Sequence, residues 1–547
     1  MRRPRLRNPL AVLLLILLSA ASTARVEEEI AEALRRRIEG DGLDGRIEVR
    51  KEPISSTDAL VALYGDRVYR PLWLEPERWA QARPELLRAI EAAAREGLQP
   101  ADYHYAALAA LPDAPPSDPV AAAAVELLLS DSFLLLARHW LQGKVDPREI
   151  HPTWSAPERS RDFTALLEDA VTEGNVFDTL ADLRPDHPDY ARLVDALARL
   201  RQLRADGGFT LVPEGPTLRP GDEDARVERL RRRLAEAGIS VPEAAVAQRY
   251  DDALVPAVQA IQRRHGLDAD GVVGKGTLAA LNTPVQARID SVLATLERYR
   301  WLPEDLGRRH IIVNIAGFFL RMEDAGRDVV EMPVVVGREY RQTPVFSSRM
   351  TYVVVNPSWE VPPSIARKDK LPLLKRDPDA LARGGYELFD SWGQDARRLD
   401  LSAVDWNAVP AGRFPYRLRQ RPGPENALGR VKFMFPNEHA VYLHDSPARE
   451  LFARAQRTFS SGCVRLGDPI ALLDAVFAGS DWTPDRLAAV LDAGKERTLP
   501  LQDPIEVHLL YWTAWIDAAD ELQLRADVYG RDAPVVAALR AQHAVLD

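Results

Sequence analysis

The sequence predicts a multidomain protein: an α-helical N-terminal region, a small three-helix module, and a mainly-β domain interrupted by a long insertion. Three observations predict it. The 547 residues make three or four domains at roughly 100–200 residues each. Apolar residues recur at helical spacing through 26–210, then give way to β-branched runs after His310. Pro- and Gly-rich punctuation separates the regimes at 211–221 and fills 366–430. Hydrophobic residues are 46% and charged residues 28%, the balance of a globular protein. Lys and Arg number 71 against 81 Asp and Glu, a net charge of −10. That acidity makes sequence-independent nucleic-acid binding a poor reading, because such binding rests on basic patches.

Taken in order, residues 1–24 read as a secretory signal. Arg2, Arg3, Arg5 and Arg7 form the basic start, Leu10 to Leu18 the apolar stretch, and Ser22-Thr23-Ala24 the small-residue cleavage pattern. The alternative is an uncleaved anchor, but the apolar run is short of the ~20 residues a spanning helix needs. No later segment is expected to reach membrane-spanning length. The protein is therefore expected to be exported, tethered only if the signal stays in place.

Residues 25–215 form the helical region, with apolar faces in Glu85–Ala94, Ala121–Leu141 and Tyr190–Leu203. Asp102, His104 and His139 are polar there and read as caps or core-edge groups. Residues 211–221 read as a linker. In 222–283, Val227, Leu230 and Leu234 make one helical face ending at Gly238, Val258 and Ile261 a second ending at Gly266, and a tight turn at 267–274 opens a third helix. A linker helix fills 284–308. Strands are expected at Ile311–Ile315, Val329–Val336, Met350–Val355, Val431–Phe435 and Ala440–Leu443 within a domain spanning 309–495. The insertion at 366–430 interrupts the strand pattern and reads as a loop that serves as a lid or a binding insertion. Asp468 caps a helix over Pro469–Phe477. Residues 496–547 read as an extension packed on the β domain or the helical region.

The chemistry centres on the one cysteine, Cys463. A single cysteine excludes an intrachain disulfide, a zinc ribbon and a Cys-ligated cluster. In an oxidising compartment an unpaired thiol is exposed to oxidation, so keeping one points to a use. His444 lies nineteen residues upstream, at the end of a strand. A thiol with an ordinary pKa of about 8.5 becomes a nucleophile when an imidazole takes its proton. The Asp445 backbone carbonyl is a candidate to orient that imidazole; the Asp445 carboxylate points elsewhere if the strand continues. Ser461-Gly462-Cys463 offers successive backbone N–H groups around a glycine, a candidate oxyanion site. Together these groups describe acyl transfer through a thioester. The alternatives, Cys463 as a small buried apolar residue and His444 as a structural histidine, stay open on order and spacing alone.

Two motifs carry a resemblance. Asp222 to Asn282 resembles the peptidoglycan-binding domain-1 module, through Val227, Leu230, Gln262, His265-Gly266-Leu267, Asp270-Gly271, Gly274, Thr277 and Leu281-Asn282. His444-Asp445 followed by Ser460-Ser461-Gly462-Cys463-Val464-Arg465 resembles the signature of YkuD-type L,D-transpeptidase catalytic domains. Many members carry a histidine where this chain has Ser461; the base of the family corresponds to His444, which is present. The domain order resembles the YcbB-type subgroup, with a scaffold marked by Tyr64, Pro71, Trp73, Gly97-Leu98, Asp102-Tyr103 and Gly143 to Pro147, and the insertion standing where that subgroup carries a capping subdomain.

The resemblance implies that Cys463 attacks a tetrapeptide stem at the diaminopimelate–D-Ala bond, with His444 as proton acceptor and donor. D-Ala leaves, and a second stem's diaminopimelate amine takes the acyl group to give a 3→3 cross-link. Hydrolysis by the same residues, or a non-catalytic wall-binding role, are the alternatives. It implies peptidoglycan stem peptides and glycan as partners, the periplasm as location, no cofactor and no metal, and opening of carbapenems by the thiolate. Around the site, Arg465 either binds a substrate carboxylate or pins the loop by an ion pair. Ser460 shapes the turn. Asn437 and His439 precede the strand leading to His444 and are expected to line the cleft; His439 is the alternative imidazole for Cys463, with strand alternation and the motif favouring His444. Tyr442 shares the His444 face, and Trp359 either lines the acceptor side or belongs to the core. Arg367, Lys368, Lys370, Lys375 and Arg376 are the basic groups of the lid.

Overall fold

The structure, a computed structural model, describes residues 25–40, 48–49 and 52–541. The signal segment expected at 1–24 lies outside the described residues. Helix α1 (Pro119–Gln142) is the axis of the helical region. Asp118 caps it by accepting from the Ala121 N–H at 2.8 Å, with Pro119 at the first helical position. Its most apolar window has a mean hydropathy of 1.9 and is 89% buried. By length and composition α1 could cross a membrane, contrary to the expectation that no later segment would. In this fold its apolar surface is covered by neighbouring helices.

Polar groups on α1 gather the surrounding loops. Glu126 accepts from Tyr64 Oη at 2.8 Å and from the Leu72 N–H at 2.5 Å. Asp131 accepts from the Ser56 N–H at 2.7 Å and faces His104 Nε2 at 2.8 Å. Asp102 pairs with Lys144 at 2.7 Å, and Tyr103 Oη meets His139 Nδ1 at 2.9 Å. Asp102, His104 and His139 thus hold the helical region together.

The three-helix module has its own apolar core, in which Val227, Leu230, Leu234, Val258 and Ile261 meet. Gly238 and Gly266 end its first two helices with φ of 72° and 62°, the left-handed region that glycine enters without steric cost. The supposed linker is part of this core: Val212 and Leu218 are buried in it, and Leu218 pairs with Val273. Helix α2 (Val285–Arg300) then returns to the helical region. Its Glu297 accepts from the Val145 N–H at 2.7 Å, and its Arg300 reaches the Glu96 carbonyl at 2.8 Å. Its Arg298 pairs with Asp532 at 2.6 Å. Around α2 the helical region and the β domain share one continuous core.

The β domain is a nine-stranded sheet. Its strands are β1 (Arg309–Asn314), β2 (Phe319–Asp324), β3 (Arg327–Gly337), β4 (Phe346–Val355), β5 (Val431–Met434), β6 (Leu443–His444), β7 (Thr458–Ser460), β8 (Val464–Leu466) and β9 (Arg497–Leu510). They run in the order β7-β3-β8-β6-β5-β4-β9-β1-β2, and β2 also pairs with β3, so the sheet closes on itself. Closure removes the free edges of the sheet. The expected boundary at 495 is corrected here: β9 lies between β1 and β4, in the middle of the sheet. Helix α3 (Pro469–Val476) follows Asp468, which accepts from the Ala471 N–H at 3.0 Å. Helix α4 (Asp532–Arg540) packs on α2.

The insertion is not a loop. Trp359–Glu360, Arg417–Gln420, Tyr386–Phe389 and Arg398–Leu399 form a four-stranded sheet in that order, backed by short helices. Its separate core runs from Trp359 to Leu428 and includes Leu374, Leu388, Trp406 and Leu418. The sequence hid this because its strands are two to four residues long and interrupted by prolines.

Burial holds His151 neutral down to about pH 2, His265 to about 3 and His508 to about 4. In the unfolded chain each titrates near 6.5. Below that pH the unfolded state binds more protons, so stability is full above about 6.5 and falls as pH drops. Urea titrations of the full chain at pH 7 and pH 4.5 should show a loss on the order of a few kcal/mol; equal midpoints at both would show that these rings are solvated.

Candidate active site

The site is built by strand register. Strand β6 pairs in parallel with β8, Leu443 opposite Val464 and His444 opposite Arg465. Opposed residues share a face and neighbours alternate. Leu443 and Val464 therefore enter the core, where both are fully buried. His444 and Arg465 stand on the other face. The Val464 N–H donates to the Tyr442 carbonyl at 3.2 Å, which extends the ladder by one pair and sets Tyr442 beside Cys463. On the far side, antiparallel β5 places Lys432 opposite His444. One face thus collects a thiol, an imidazole, a phenol and two cations.

His444 is buried, with Nδ1 2.5 Å from the Asp445 carbonyl oxygen. That carbonyl can only accept, so the Nδ1 proton is donated to it and Nε2 carries the lone pair. The Asp445 carboxylate turns away, accepting from the Arg430 N–H at 2.7 Å and the Ser446 N–H at 2.6 Å. Burial, helped by Arg465, lowers the imidazole to about 3. It is a free base at neutral pH.

Cys463 is half-buried, and its sulfur lies 3.9 Å from the Ala440 carbonyl. Burial raises the thiol above its ordinary value, while the Tyr442 N–H and phenol, Lys432 and Arg465 pull it down. No hydrogen bond joins Cys463 to His444 among the described residues. The pair rests as neutral thiol and neutral imidazole, not as an ion pair.

The loop before the thiol departs from expectation at one donor. Ser460 Oγ donates to the Cys463 carbonyl at 2.5 Å and accepts from the Gly462 N–H at 3.1 Å. Ser460 shapes the turn, and the Gly462 N–H is withdrawn from any oxyanion role. Gly462 has φ of 121°, a conformation that glycine adopts readily. The Cys463 N–H has no acceptor among the described residues and remains available. Ser461 is exposed and its Oγ accepts from Arg341 at 2.8 Å.

The outer positions separate into site and support. Arg465 makes no ion pair among the described residues, and its buried Nε lacks a partner; the loop-pinning alternative is thereby removed. The Asn437 amide donates to the Phe435 and Val441 carbonyls at 2.6 and 2.8 Å and closes a turn. His439 packs edge-on against Phe346, with ring centroids 4.9 Å apart. Trp359 belongs to the insertion's core, and Tyr442 packs against that core, joining insertion and site. Of the basic lid residues, Lys370 is held by Tyr386 Oη at 2.8 Å, while Arg367 and Arg376 reach backbone carbonyls. Lys368 and Lys375 stand partly exposed.

Three groups escaped the sequence reading. Lys432 lies 4.0 Å from the Tyr442 ring centroid; a lysine inside the apolar run Val431–Phe435 was the available signal. Arg341 bridges Ser461 to Asp369 of the insertion at 2.6 Å, and Thr343 donates to the Gly462 carbonyl at 2.8 Å. Neither carried a local signal. Among the described residues no group of three or more His, Cys, Asp or Glu is placed to hold a metal ion.

Comparison with known proteins gives three family matches. Residues 308–484 match the L,D-transpeptidase catalytic domain, 223–281 the "Putative peptidoglycan binding domain", and 58–197 the scaffold domain. A Haemophilus influenzae protein described as "Putative L,D-transpeptidase" is 36% identical over 251 residues, which are 46% of this chain and 50% of that protein. The chain thus spans about half of that relative's length. Among solved structures, an L,D-transpeptidase from Stackebrandtia nassauensis is 12% identical, covering 55% of this chain and 97% of that one, with a TM-score of 0.22. LdtMt1, an LD transpeptidase solved in complex with imipenem, is 14% identical, covering 37% and 59%, with a TM-score of 0.18.

Because the thiol rests protonated, its alkylation by iodoacetamide should climb through the alkaline range and show no plateau at neutral pH; a plateau reached below pH 7 would establish a resting ion pair. The Tyr442 phenol pulls the thiol down, so in Tyr442→Phe the rise should begin at higher pH. An unmoved profile would place the phenol outside the site.

Proposed function

Since residues 308–484 form an L,D-transpeptidase catalytic domain on a chain that also carries a scaffold domain and a peptidoglycan-binding domain, we propose that the protein makes 3→3 cross-links in peptidoglycan. The observation that carries this reading is the β6–β8 register, which sets a neutral imidazole with an open Nε2 and the one thiol of the chain on a single face.

In the first half-reaction His444 Nε2 takes the Cys463 proton as sulfur attacks the carbonyl between diaminopimelate and the terminal D-Ala. The tetrahedral oxygen anion forms beside the free Cys463 N–H, and Lys432 and Arg465 lower its cost by their charge. Collapse breaks the C–N bond; the imidazolium returns its proton to the amine, and D-Ala leaves. A thioester remains. In the second half-reaction a diaminopimelate side-chain amine attacks that thioester, His444 accepts the amine proton, and the thiol is restored. The broken peptide bond supplies the free energy, so no nucleotide is consumed. The unpaired Arg465 guanidinium suits a stem carboxylate, which it can hold with two parallel N–H bonds. The peptidoglycan-binding domain would hold the chain on the polymer. Peptidoglycan as substrate, with the secretory signal read at residues 1–24, supports a periplasmic location.

Purified protein with tetrapeptide muropeptides should release D-Ala and yield dimers. Tripeptide alone would mean hydrolysis, and no product would mean a binding role. Cys463→Ala should lose all turnover; retained activity would overturn the nucleophile. A carbapenem should add one covalent mass to the protein at Cys463, seen by intact mass spectrometry; an unmodified protein under conditions that acylate a control enzyme would count against the thioester chemistry. Arg465→Met should raise KM for the donor stem at least about tenfold by removing a charged hydrogen bond, and an unchanged KM would leave the carboxylate to another group.

A further inference from the structure

The nucleophile loop is held from behind by residues far from it in sequence, two of which close a circuit with β3. Tyr529, in the segment after β9 and beyond residues 308–484, is buried and stacks on Tyr511 with ring centroids 5.7 Å apart. Its phenol donates to the Gly337 carbonyl at 2.5 Å and accepts from the Thr343 N–H at 3.3 Å. Thr343 is fully buried; its hydroxyl accepts from the Gly337 N–H at 2.9 Å and donates to the Gly462 carbonyl at 2.8 Å. Arg531 fastens the same strap through Gln342 Oε1 at 2.7 Å. The strap from 337 to 343 doubles back so tightly that a Cβ on Gly337 would collide with the Arg341 carbonyl and the Thr343 nitrogen.

The bond to Gly462 bears on the chemistry through peptide geometry. In a planar trans peptide the carbonyl and the N–H point in opposite directions. Fixing the Gly462 carbonyl on Thr343 therefore fixes where the Cys463 N–H points, and that N–H is the donor the loop leaves unpaired. Gly462, at φ of 121°, lacks the Cβ that would otherwise restrict rotation of this peptide.

We propose that Thr343 and Tyr529 are positioning residues: through the Gly462–Cys463 peptide they aim the Cys463 N–H at the developing oxyanion and set the sulfur beside His444. Neither touches substrate. The proposal rests on the transfer reading above, and its test separates the two. Acylation of the full chain by a carbapenem is followed by stopped mass spectrometry as a function of drug concentration. Thr343→Val keeps the shape and removes the hydroxyl; Tyr529→Phe keeps the ring and removes the phenol. Each should slow the saturating acylation rate about ten- to hundredfold, the scale set by oxyanion donors, while the half-saturating concentration stays within about twofold. Thr343→Ser should recover most of the rate.

If the wild type forms neither adduct nor muropeptide dimers, the transfer reading fails. If the wild type acylates and both variants acylate at its rate, the positioning role fails. Equal loss in Thr343→Ser and Thr343→Val, matched by equal loss of melting temperature, would make Thr343 a packing residue and overturn the proposal; should Thr343→Val not fold, Tyr529→Phe carries the same comparison.

Discussion

The site depends on one pairing, the parallel ladder between β6 and β8. Each strand contributes only two or three residues, yet the register cannot slip. A shift by one residue would push Leu443 and Val464 out of the core and bury His444 and Arg465 in it. Hydrophobic burial on one face thus specifies the chemistry on the other. Parallel strands also need a crossover connection, and the residues between His444 and Cys463 provide it. The nineteen-residue spacing is the length of that crossover.

The reactive face is unusual in sign. Lys432 and Arg465 are both partly buried and neither makes an ion pair among the described residues, while the Asp445 carboxylate is turned to backbone donors and Arg449. Burying charge without a partner costs free energy. Burial, with this positive potential added, holds His444 neutral, and the same potential favours a thiolate and an oxyanion once they form. The apparent instability is therefore an arrangement suited to negative charge that arrives with the substrate and grows during reaction. Under the proposed reaction, a chain that is acidic overall would meet the stem carboxylates through this local cationic face.

Two elements remote in sequence converge on this face, and a third holds one of them in place. The insertion reaches it through its core, against which Tyr442 packs, and through Asp369 at Arg341, which also holds Ser461. The segment after β9 reaches it from behind, through Tyr529 and Thr343. Helix α2 binds that segment to the helical region by the buried Arg298–Asp532 pair. Breaking such a pair leaves an uncompensated charge in the interior. The helical region is thus joined to the site by a continuous path of packed and hydrogen-bonded groups, though it carries no catalytic group itself.

Much of this was legible in the sequence where the signal is local. Helical periodicity marked α1, the glycines marked the helix ends of the small module, and β-branched runs marked four barrel strands, while the strand expected at Ala440–Leu443 is confined to Leu443–His444. Cys463, His444 and the Asp445 carbonyl could be named because they lie in one short motif. The errors share a physical origin. Residues 211–221, the insertion and β9 are short or irregular segments whose conformation is stabilised by distant partners: Val212 and Leu218 by the module's core, the insertion's strands by one another, and β9 by β1 and β4. Gly462 looked like an oxyanion donor until Ser460 took its N–H. The sequence by itself determined which residue types are present and in what local order: one thiol, one imidazole behind a strand, a glycine turn between them. Only the tertiary structure decided which cations face the thiol, which N–H stays free and which remote side chains hold the loop. Those outcomes follow from burial and register between segments far apart in the chain, and no local pattern encodes them.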